Sequence, residues 1–541
     1  PRVGPLGRRA RRKRRLLPAR AGRERIPHDA RQPQARERGF GSDRAHRGRR
    51  RVGRAPRARP GARALRRAGR IRIEGGGARP LRRGAQGRSL GRRGRDASAA
   101  AKPEVTLLER LGAHVASGYG EGLPDPLRDA VRLHLADTVG AWIAARGTAE
   151  GRALLRVNSV ERESFSGRVE LACGLARSSE VDDIHLPSAT TPGAIVVPAA
   201  LMFASSLHRD GGTLAQAIAV GYDAMTRLGA CLRGPSILYR GIWPTYLCAP
   251  LATAAVIARL LGFTEKQTAH ALAIALALSS PAVGRQAGPA MSRWLAVGNA
   301  ARNGLNAAAS AQNGFTGDLS LFEGEFFSSV YAISPDPAAF EDERPALLET
   351  SFKPWCAAKQ TMAAGQALRE IIEEGVPPSE VRGVVVGVPP LYLKMIDHGV
   401  VAGERTSFLT SVAYQLALAA FDPDAALQPG QAPASVPANI ADFMAKVSVK
   451  SDEDLLQHYP KSWPARVTVT AAAGKREKLV LHVPGDPERP FDESRVADKF
   501  LKLTAPVAGE RAAEALLERC LNALDEGPAA LVGEIAQLEK A

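Results

Sequence analysis

The sequence predicts a mainly α-helical protein in which a large all-helical domain is followed by a smaller α+β domain. Two observations support this fold class. Across residues 105–330, apolar residues recur at three- and four-residue spacings, as in amphipathic helices. After about Ser351, short valine-rich runs alternate apolar and polar positions, as in β-strands. We therefore predict a helical domain over 105–350, an α+β domain over 351–490, and C-terminal helices over 491–541 that rejoin the helical domain.

The helical part carries clear start and stop signals. Apolar residues at helical spacing predict an amphipathic helix over Leu214–Leu228. Gly262 follows the apolar run Leu251–Leu261 and is expected to end a helix there. The next residues, Thr264-Glu-Lys-Gln267, form a capping box that predicts a helix start. The sequence from 288 to 304 is rich in small residues, which permit close packing of helices.

The second part alternates strands with helices. The β-branched run Val381–Val388 predicts one strand, and alternation at residues 446–450 predicts another. Alternating apolar residues between 467 and 483 predict a hairpin with its turn near Gly474-Lys475. Between these strands, Ser411–Phe421 is predicted to be a helix.

The charge of the chain is divided unevenly. Residues 1–100 contain 34 Lys+Arg and 6 Asp+Glu, which leaves 40 basic and 49 acidic groups in the other 441 residues. The basic segment has one aromatic residue, Phe40, and no apolar periodicity, so we expect residues 1–100 to be a disordered, Arg-rich leader. Because its only lysine is Lys13, we interpret the leader as non-native coding sequence rather than a nucleic-acid-binding arm or a targeting peptide. Nucleic-acid binding is accordingly not expected.

The remaining composition indicates a cytoplasmic protein. The five cysteines are scattered and show no metal-ligand spacing, which is typical of a reducing compartment and predicts neither a disulfide framework nor a metal site. The longest uncharged runs are interrupted by Pro198, Pro244 and Pro250. The sequence therefore predicts no membrane span.

An acidic loop ahead of an apolar helix is the first candidate site. Glu180, Asp182, Asp183 and His185 precede a Thr190-Thr191-Pro192-Gly turn, which opens the apolar run 194–204. Pro suits the first turn of a helix and Thr suits its cap. Free N–H groups and the helix dipole attract anions, so this helix start is a predicted carboxylate-binding or phosphate-binding position.

Four further clusters contain residue types suited to binding or proton transfer. The Gly241–Tyr246 turn contains Trp243, and Arg293 begins a predicted helix. Lys353 and Lys359 lie near the predicted domain boundary, and Tyr414 lies on the predicted helix 411–421. Each candidate also has a structural alternative. The alternative is a core aromatic for Trp243 and Tyr414, and a surface ion pair for Arg293. It is a solvated linker residue for Lys353, helix capping for Asp182 and Asp183, and a structural role for His185.

In this order, the clusters resemble the MmgE/PrpD family, which includes 2-methylcitrate dehydratase, cis-aconitate decarboxylase and iminodisuccinate epimerase. The matching segments extend over about residues 105–535. They are Asp182-Asp183-Ile-His185 with Pro192-Gly193 and Pro198-Ala-Ala200, Gly241-Ile-Trp-Pro-Thr245, Met291-Ser-Arg293 with Gly298–Gly304, Gly314–Gly317, Lys353-Pro-Trp355, and Ser411-Val-Ala-Tyr414.

The resemblance implies a helical domain with a smaller α+β lid, an active site between them, a homodimer, and no cofactor or metal. It implies lyase or dehydratase chemistry on a small carboxylic acid, with isomerase or epimerase activity, or carboxylate binding without catalysis, as alternatives. Proton transfer would fall to His185, Lys353 or Tyr414, with Asp182 or Asp183 orienting His185. Substrate binding would fall to Thr190, Thr191, Trp243, Arg293 and Lys359.

The chain also departs from the family pattern at the positions that matter for chemistry. Thr191 and Trp243 stand where relatives have histidines, and Arg293 stands where they have a lysine. Lys359-Gln360 stands where they have an Arg-His pair. Arginine keeps the positive charge of lysine but does not deprotonate, so Arg293 is expected to bind rather than to transfer a proton.

Overall fold

Helices dominate the first part of the computed structural model, which describes residues 105–157, 164–280 and 290–538. The predicted leader, residues 1–100, lies outside the described residues. The helices before residue 340 are α1 (Leu107–Ser117), α2 (Asp125–Ala145), α3 (Ala149–Val157), α4 (Phe165–Ser178), α5 (Gly193–Ser206), α6 (Gly211–Cys231), α7 (Gly234–Ile237), α8 (Pro244–Leu261), α9 (Glu265–Ala277), α10 (Ser292–Gln312) and α11 (Phe326–Tyr331).

The predicted start and stop signals are confirmed. The helix expected over Leu214–Leu228 lies inside α6. Gly262 ends α8 in the left-handed conformation with φ of 69°, which glycine adopts without steric cost. The hydroxyl of Thr264 accepts from the backbone N–H of Gln267, and the Gln267 side chain accepts in return from the Thr264 backbone, so the capping box begins α9.

The centre of the helical part is α8, which packs against α6, α9 and α10. Close approach depends on glycine: a Cβ at Gly304 would lie 2.3 Å from the carbonyl oxygen of Pro250, and one at Gly298 would lie 2.4 Å from that of Glu170. The helix α8 is long and apolar enough to cross a membrane, but 89% of it is buried within the protein. It therefore has the character of a core helix.

The second part contains a four-stranded sheet with the order β4-β3-β5-β6. The strands are β3 (Val381–Val388), β4 (Val447–Ser451), β5 (Ala465–Ala471) and β6 (Gly474–Val480). The pair β3/β4 is parallel, whereas β3/β5 and β5/β6 are antiparallel. The predicted strand Val381–Val388 is confirmed in full. The predicted hairpin is confirmed too, although β6 ends at Val480, so that Leu481 and Val483 lie beyond it.

Helices accompany this sheet and follow it. They are α12 (Lys359–Glu373), α13 (Leu393–Ile396), α14 (Arg405–Thr410), α15 (Val412–Phe421), α16 (Ala438–Met444), α17 (Glu493–Ala508), α18 (Glu510–Glu526) and α19 (Ala529–Leu538). The first of them, α12, covers β5 and β6, and α15 packs against α12. The C-terminal helices α17 and α18 pack against α2, and α19 packs against α5. The fold is thus mainly α-helical with a smaller α+β part, as predicted.

A two-stranded ladder joins the two parts next to the acidic loop. It consists of β1 (Ile184–His185) and β2 (Thr350–Ser351), which pair antiparallel with Ile184 opposite Ser351. Continuing this register brings Asp182 opposite Lys353, which lies two residues beyond β2. The ladder therefore determines which side chains of the loop can meet the segment that follows residue 351.

Candidate active site

A cavity of about 60 Å³ lies between the acidic loop, the N-termini of α8 and α10, and the α+β part. Its polar and charged wall contains Arg177, Glu180, Thr191, Thr245, Arg293, Lys353, Lys359 and Gln360. Its apolar wall includes Ile184, Leu238, Trp243, Trp294, Met395, Leu409 and Trp463. A small space lined by both charged groups and indole rings is suited to a small, polar ligand.

Lys353 is the predicted site residue with the most carboxylate contacts. Its side chain is 2% exposed, and its Nζ lies 3.4 Å from Asp182 Oδ1 and 3.7 Å from Glu180 Oε2. It also donates to the carbonyl oxygen of Glu180 at 3.3 Å. The alternative of a solvated linker lysine is therefore wrong. These contacts hold the Lys353 Nζ between two buried carboxylate side chains.

Arg177, at the end of α4, completes this charged cluster. Its Nη1 lies 3.1 Å from Glu180 Oε1 and 3.3 Å from Asp182 Oδ1. Burial alone would raise the pKa of Glu180, but the charges of Arg177, Lys353 and Arg405 outweigh it and hold that pKa at about 2. Burial raises the pKa of Asp182, against the opposing effect of Arg177 and Lys353. The two carboxylates thus differ in how readily they take up a proton.

Lys359, the first residue of α12, also lines the cavity. Its Nζ donates in a very short contact to Asp486, and both side chains are buried. Burial lowers the pKa of Lys359, and the Asp486 carboxylate acts against that shift. The other oxygen of Asp486 accepts from the backbone N–H of Val483 at 2.8 Å. Lys359 is therefore an anchored cation whose carboxylate partner is itself fixed by the backbone.

Arg293 lies among aromatic rings. Its guanidinium carbon is 5.3 Å from the ring centroid of Trp243 and 5.6 Å from that of Trp294. Both distances are within the range of cation–π attraction. Arg293 is 3% exposed, so it is a buried rather than a surface arginine. Burial lowers the pKa of its guanidinium, which nevertheless stays charged at neutral pH.

The two threonines of the predicted cap differ in position. Thr191 lines the cavity, and its backbone N–H donates to Thr245 Oγ1 at 3.0 Å. Thr190 does not line it, since its hydroxyl is buried in a 2.7 Å hydrogen bond with Ser188 Oγ. Neither side chain caps α5, which begins at Gly193 with no side-chain cap from the preceding residue. The prediction that Thr190 or Thr191 caps this helix is therefore wrong.

Asp183 occupies the predicted anion-binding helix start. Its Oδ1 accepts from the backbone N–H of Gly193 at 2.8 Å, and its Oδ2 accepts from the Tyr222 hydroxyl at 2.6 Å. Oδ2 also lies 2.8 Å from His134 Nδ1. Asp183 therefore contacts His134 rather than His185, contrary to the expectation that it orients His185. The start of α5 binds a carboxylate, as expected, but the carboxylate is the protein's own.

His185 lies on the other side of the loop from the charged cluster. Its Nδ1 is 2.8 Å from Ser188 Oγ, and its Nε2 is 3.9 Å from Glu349 Oε2. It lines a separate cavity of about 370 Å³ together with Arg227, Arg344 and Glu349. Adjacent residues of a strand point to opposite sides, which separates His185 from the neighbours of Ile184. The structure therefore does not bring His185 to the cavity that contains Lys353.

Tyr414 is part of the core of the α+β part. Its ring packs edge-to-face against Phe408 with centroids 4.9 Å apart. Burial raises the pKa of its hydroxyl to about 12. It does not line the cavity that the described residues form around Lys353. Of the three candidate proton-transfer groups, only Lys353 is brought to this cavity.

Four residues that line the cavity or contact the predicted site residues were not singled out from the sequence. They are Arg177, His134, Asp486 and Trp463. Arg177 carried a weak signal, because an arginine three residues before Glu180 is a common ion-pair spacing. His134 and Asp486 lie 49 and 127 residues from Asp183 and Lys359, which they contact, and no local pattern marks these two residues or Trp463. In the described residues, no three His, Cys, Asp or Glu side chains cluster in a way that could hold a metal ion.

The fold and cavity together define a mainly α-helical protein with a small cavity lined by several cationic side chains. The chain belongs to the MmgE/PrpD family: residues 109–339 match the MmgE/PrpD N-terminal domain, and residues 355–523 match the MmgE/PrpD C-terminal domain. The resemblance expected from the ordered motifs is thereby confirmed. This is a family of the dehydratase and lyase type. No curated protein gives a significant match.

Proposed function

We propose that the chain is a lyase, either a hydro-lyase or a decarboxylase, acting on a small carboxylic acid without a metal ion. One observation carries the proposal: Lys353 and Arg293 line the same buried cavity, so a proton-transfer group and a permanent cation can reach one ligand. Arg293 and Lys359 would bind the substrate carboxylate, and Thr191 and Trp243 would complete the pocket.

Lys353 is the group we assign to proton transfer. In dehydration, a C–H bond next to the carboxylate and a C–O bond on the adjacent carbon break, and a C=C bond and water form. In that reaction the neutral Lys353 amine would take the proton from the carbon, and the resulting ammonium would pass it to the departing hydroxyl, so that water leaves and the amine is restored. After loss of CO2, the Lys353 ammonium would instead protonate the carbanion and regain its proton from water. Asp182 and Glu180 contact the Nζ and so fix its position in the cavity wall.

The proposal can be tested with the purified full chain and a panel of hydroxy and unsaturated carboxylic acids, followed by proton NMR in D2O. We expect turnover of at least one acid in the wild type. Lys353→Arg keeps the charge between Asp182 and Glu180 but does not deprotonate, so it should bind the same acid and abolish turnover. Turnover by Lys353→Arg at the wild-type rate, or absence of turnover and exchange with every acid in the wild type, would contradict the proposal.

A second candidate function is carboxylate binding without catalysis. It is favoured by the absence of any histidine from the described wall of the cavity, together with the ion pairing of Lys353 to two carboxylates. It predicts ligand-induced thermal stabilisation that Arg293→Ala removes, with no proton exchange at any pH. Exchange in D2O without elimination would instead indicate an isomerase or epimerase.

A further inference from the structure

Gln360, the second residue of α12, contributes a neutral amide to the wall of the cavity that contains Lys353. It is 3% exposed, and its Nε2 donates to the Tyr239 hydroxyl at 3.2 Å. Within the described part of the chain, its Oε1 accepts no hydrogen bond. Tyr239 is not among the described residues that line the cavity. The amide therefore directs its nitrogen away from the cavity and leaves its oxygen as an acceptor for a ligand.

A chain of hydroxyl groups fixes this orientation of the amide. The Tyr459 hydroxyl donates to the carbonyl oxygen of Pro235 at 2.9 Å, since a carbonyl can only accept. The hydroxyls of Tyr459 and Tyr239 also hydrogen-bond each other, so Tyr239 is the donor in that contact. The Tyr239 oxygen is then an acceptor for Gln360. Turning the amide over would place its Oε1 against a hydroxyl whose proton is already engaged, which is unfavourable.

Aromatic packing holds the hydroxyl chain in place. The ring of Tyr392 stacks on that of Tyr239 with centroids 6.2 Å apart, and it meets Tyr459 edge-to-face at 5.9 Å. Tyr459 also packs against Trp463, which lines the cavity, with centroids 6.1 Å apart. Because these rings restrict the two hydroxyls, the Gln360 Oε1 is a preorganised acceptor, and a ligand that binds it has little ordering cost to offset.

The cavity wall offers neutral donors as well as this acceptor. Trp243 and Trp463 are 6% and 3% exposed, both line the cavity, and neither Nε1 has an acceptor in the described part of the chain. A hydroxyl group is a donor and an acceptor, so it can donate to Gln360 Oε1 and accept from an indole N–H. A carboxylate brings only acceptors and a C=C bond brings neither, so neither of them satisfies Oε1.

We infer that the substrate of this site is a hydroxy acid whose hydroxyl donates to Gln360 Oε1. The inference rests on the proposed function, because it chooses the hydro-lyase over the decarboxylase and names the class of acid. In the elimination this hydroxyl is the group that leaves as water, so Gln360 holds the leaving group while Lys353 passes it a proton. Gln360 is thus the residue that determines specificity, and Tyr239 is the residue that positions it.

The test uses pairs of acids that differ by one hydroxyl: 3-hydroxypropionate with propionate, and each enantiomer of malate with succinate. Their dissociation constants for the purified full chain are measured by calorimetric titration. An acid without the hydroxyl leaves Oε1 without a donor, so at least one hydroxy acid should bind about tenfold or more tightly than its partner.

Two outcomes of this titration would overturn the inference: equal affinity within every pair, or no binding of any of these acids. The turnover panel described above then separates the two proposals. Turnover of any acid in that panel would leave the proposed function intact, whereas absence of all turnover and exchange would remove the proposed function as well.

A variant of the amide assigns the preference to Gln360. Gln360→Met keeps an unbranched side chain but removes the acceptor, so the preference for the hydroxy acid should fall to about twofold or less. Gln366→Met is the matched control, because Gln366 is buried in the same helix but is not among the described residues that line the cavity. A preference that survives in Gln360→Met would overturn the assignment.

A variant of Tyr239 tests its positioning role. Tyr239→Phe removes the hydroxyl that accepts from Nε2, so the amide is free to turn and the preference should fall about threefold or more. Tyr392→Phe is the control, because its hydroxyl lies in the same aromatic cluster but has no hydrogen-bond partner in the described chain. Equal preferences in the two variants would contradict the positioning role. Circular dichroism checks that every variant is folded.

Discussion

Lys353 Nζ lies 3.4 Å from Asp182 Oδ1, and the two side chains are 2% and 0% exposed. The residues are 171 positions apart and meet because β1 and β2 pair in one register. A buried pair of this kind serves two purposes at once. It neutralises a carboxylate inside the protein, and it fixes the nitrogen that we assign to proton transfer. Stability and chemistry at this site therefore depend on the same contact.

Removing the Lys353 charge is expected to destabilise the fold. Lys353→Met leaves Asp182 and Glu180 with less compensation, and loss of one partner of a buried ion pair typically costs about 3–5 kcal/mol. Lys353→Arg keeps the charge and should cost less. Urea unfolding followed by circular dichroism measures both. The control is Lys502→Met, whose exposed partner Asp498 lies four residues away, with an expected cost of about 0.5 kcal/mol. Equal costs at the two positions would contradict the prediction.

The stability of the fold should fall in acid partly because of Glu180. Its pKa is about 2 in the folded protein against an ordinary value of 4.5. Because the folded-state pKa is the lower one, the contribution of this group is complete above about pH 4.5. It is lost as the pH falls from there towards 2. Thermal unfolding of the wild type and Glu180→Gln, measured across this range, should give melting temperatures that converge as the pH drops. A constant difference between the two curves would contradict this assignment.

Asp183 and Tyr222 are expected to be energetically coupled. The Tyr222 hydroxyl donates to Asp183 at 2.6 Å, and both side chains are fully buried. Tyr222→Phe, Asp183→Asn and the double variant form a double-mutant cycle measured by urea unfolding. We expect a coupling energy of about 1–3 kcal/mol, as for a buried hydrogen bond to a charged group. Additive effects of the two single variants would show that this contact does not stabilise the helix start.

Glycine at the start of α5 is expected to be required by space rather than by backbone conformation. A Cβ on Gly193 would lie 2.5 Å from Thr138 Oγ1 and 2.7 Å from Asp183 Oδ2. Gly193→Ala should therefore displace the Asp183 carboxylate and destabilise the fold by about 1–3 kcal/mol. Gly212→Ala in α6 is the control: its nearest neighbour would be 3.4 Å away, so alanine should be neutral or slightly stabilising there. Thermal denaturation compares them, and equal melting temperatures would refute the prediction.

Local patterns predicted the elements well where the cause of the structure is local. The capping box at Thr264 and the β-branched run Val381–Val388 each depend on neighbouring residues, and both are confirmed. The family could be recognised because its motifs keep their order along the chain. The start of α5 binds an anion, as predicted, but that anion is the Asp183 side chain rather than a ligand. The hydrogen-bond partners of Asp183 include Tyr222 and His134, which lie 39 and 49 residues away.

The sequence by itself determined the fold class, the family and the cationic character of the site, because periodicity, caps and motif order are properties of neighbouring residues. Only the tertiary structure decided which candidates share a cavity. The ladder between β1 and β2 brings Lys353 to Asp182, whereas His185 lines a different cavity and Tyr414 packs in the core. Contacts between residues more than a hundred positions apart depend on register and helix packing, and no local pattern encodes that geometry.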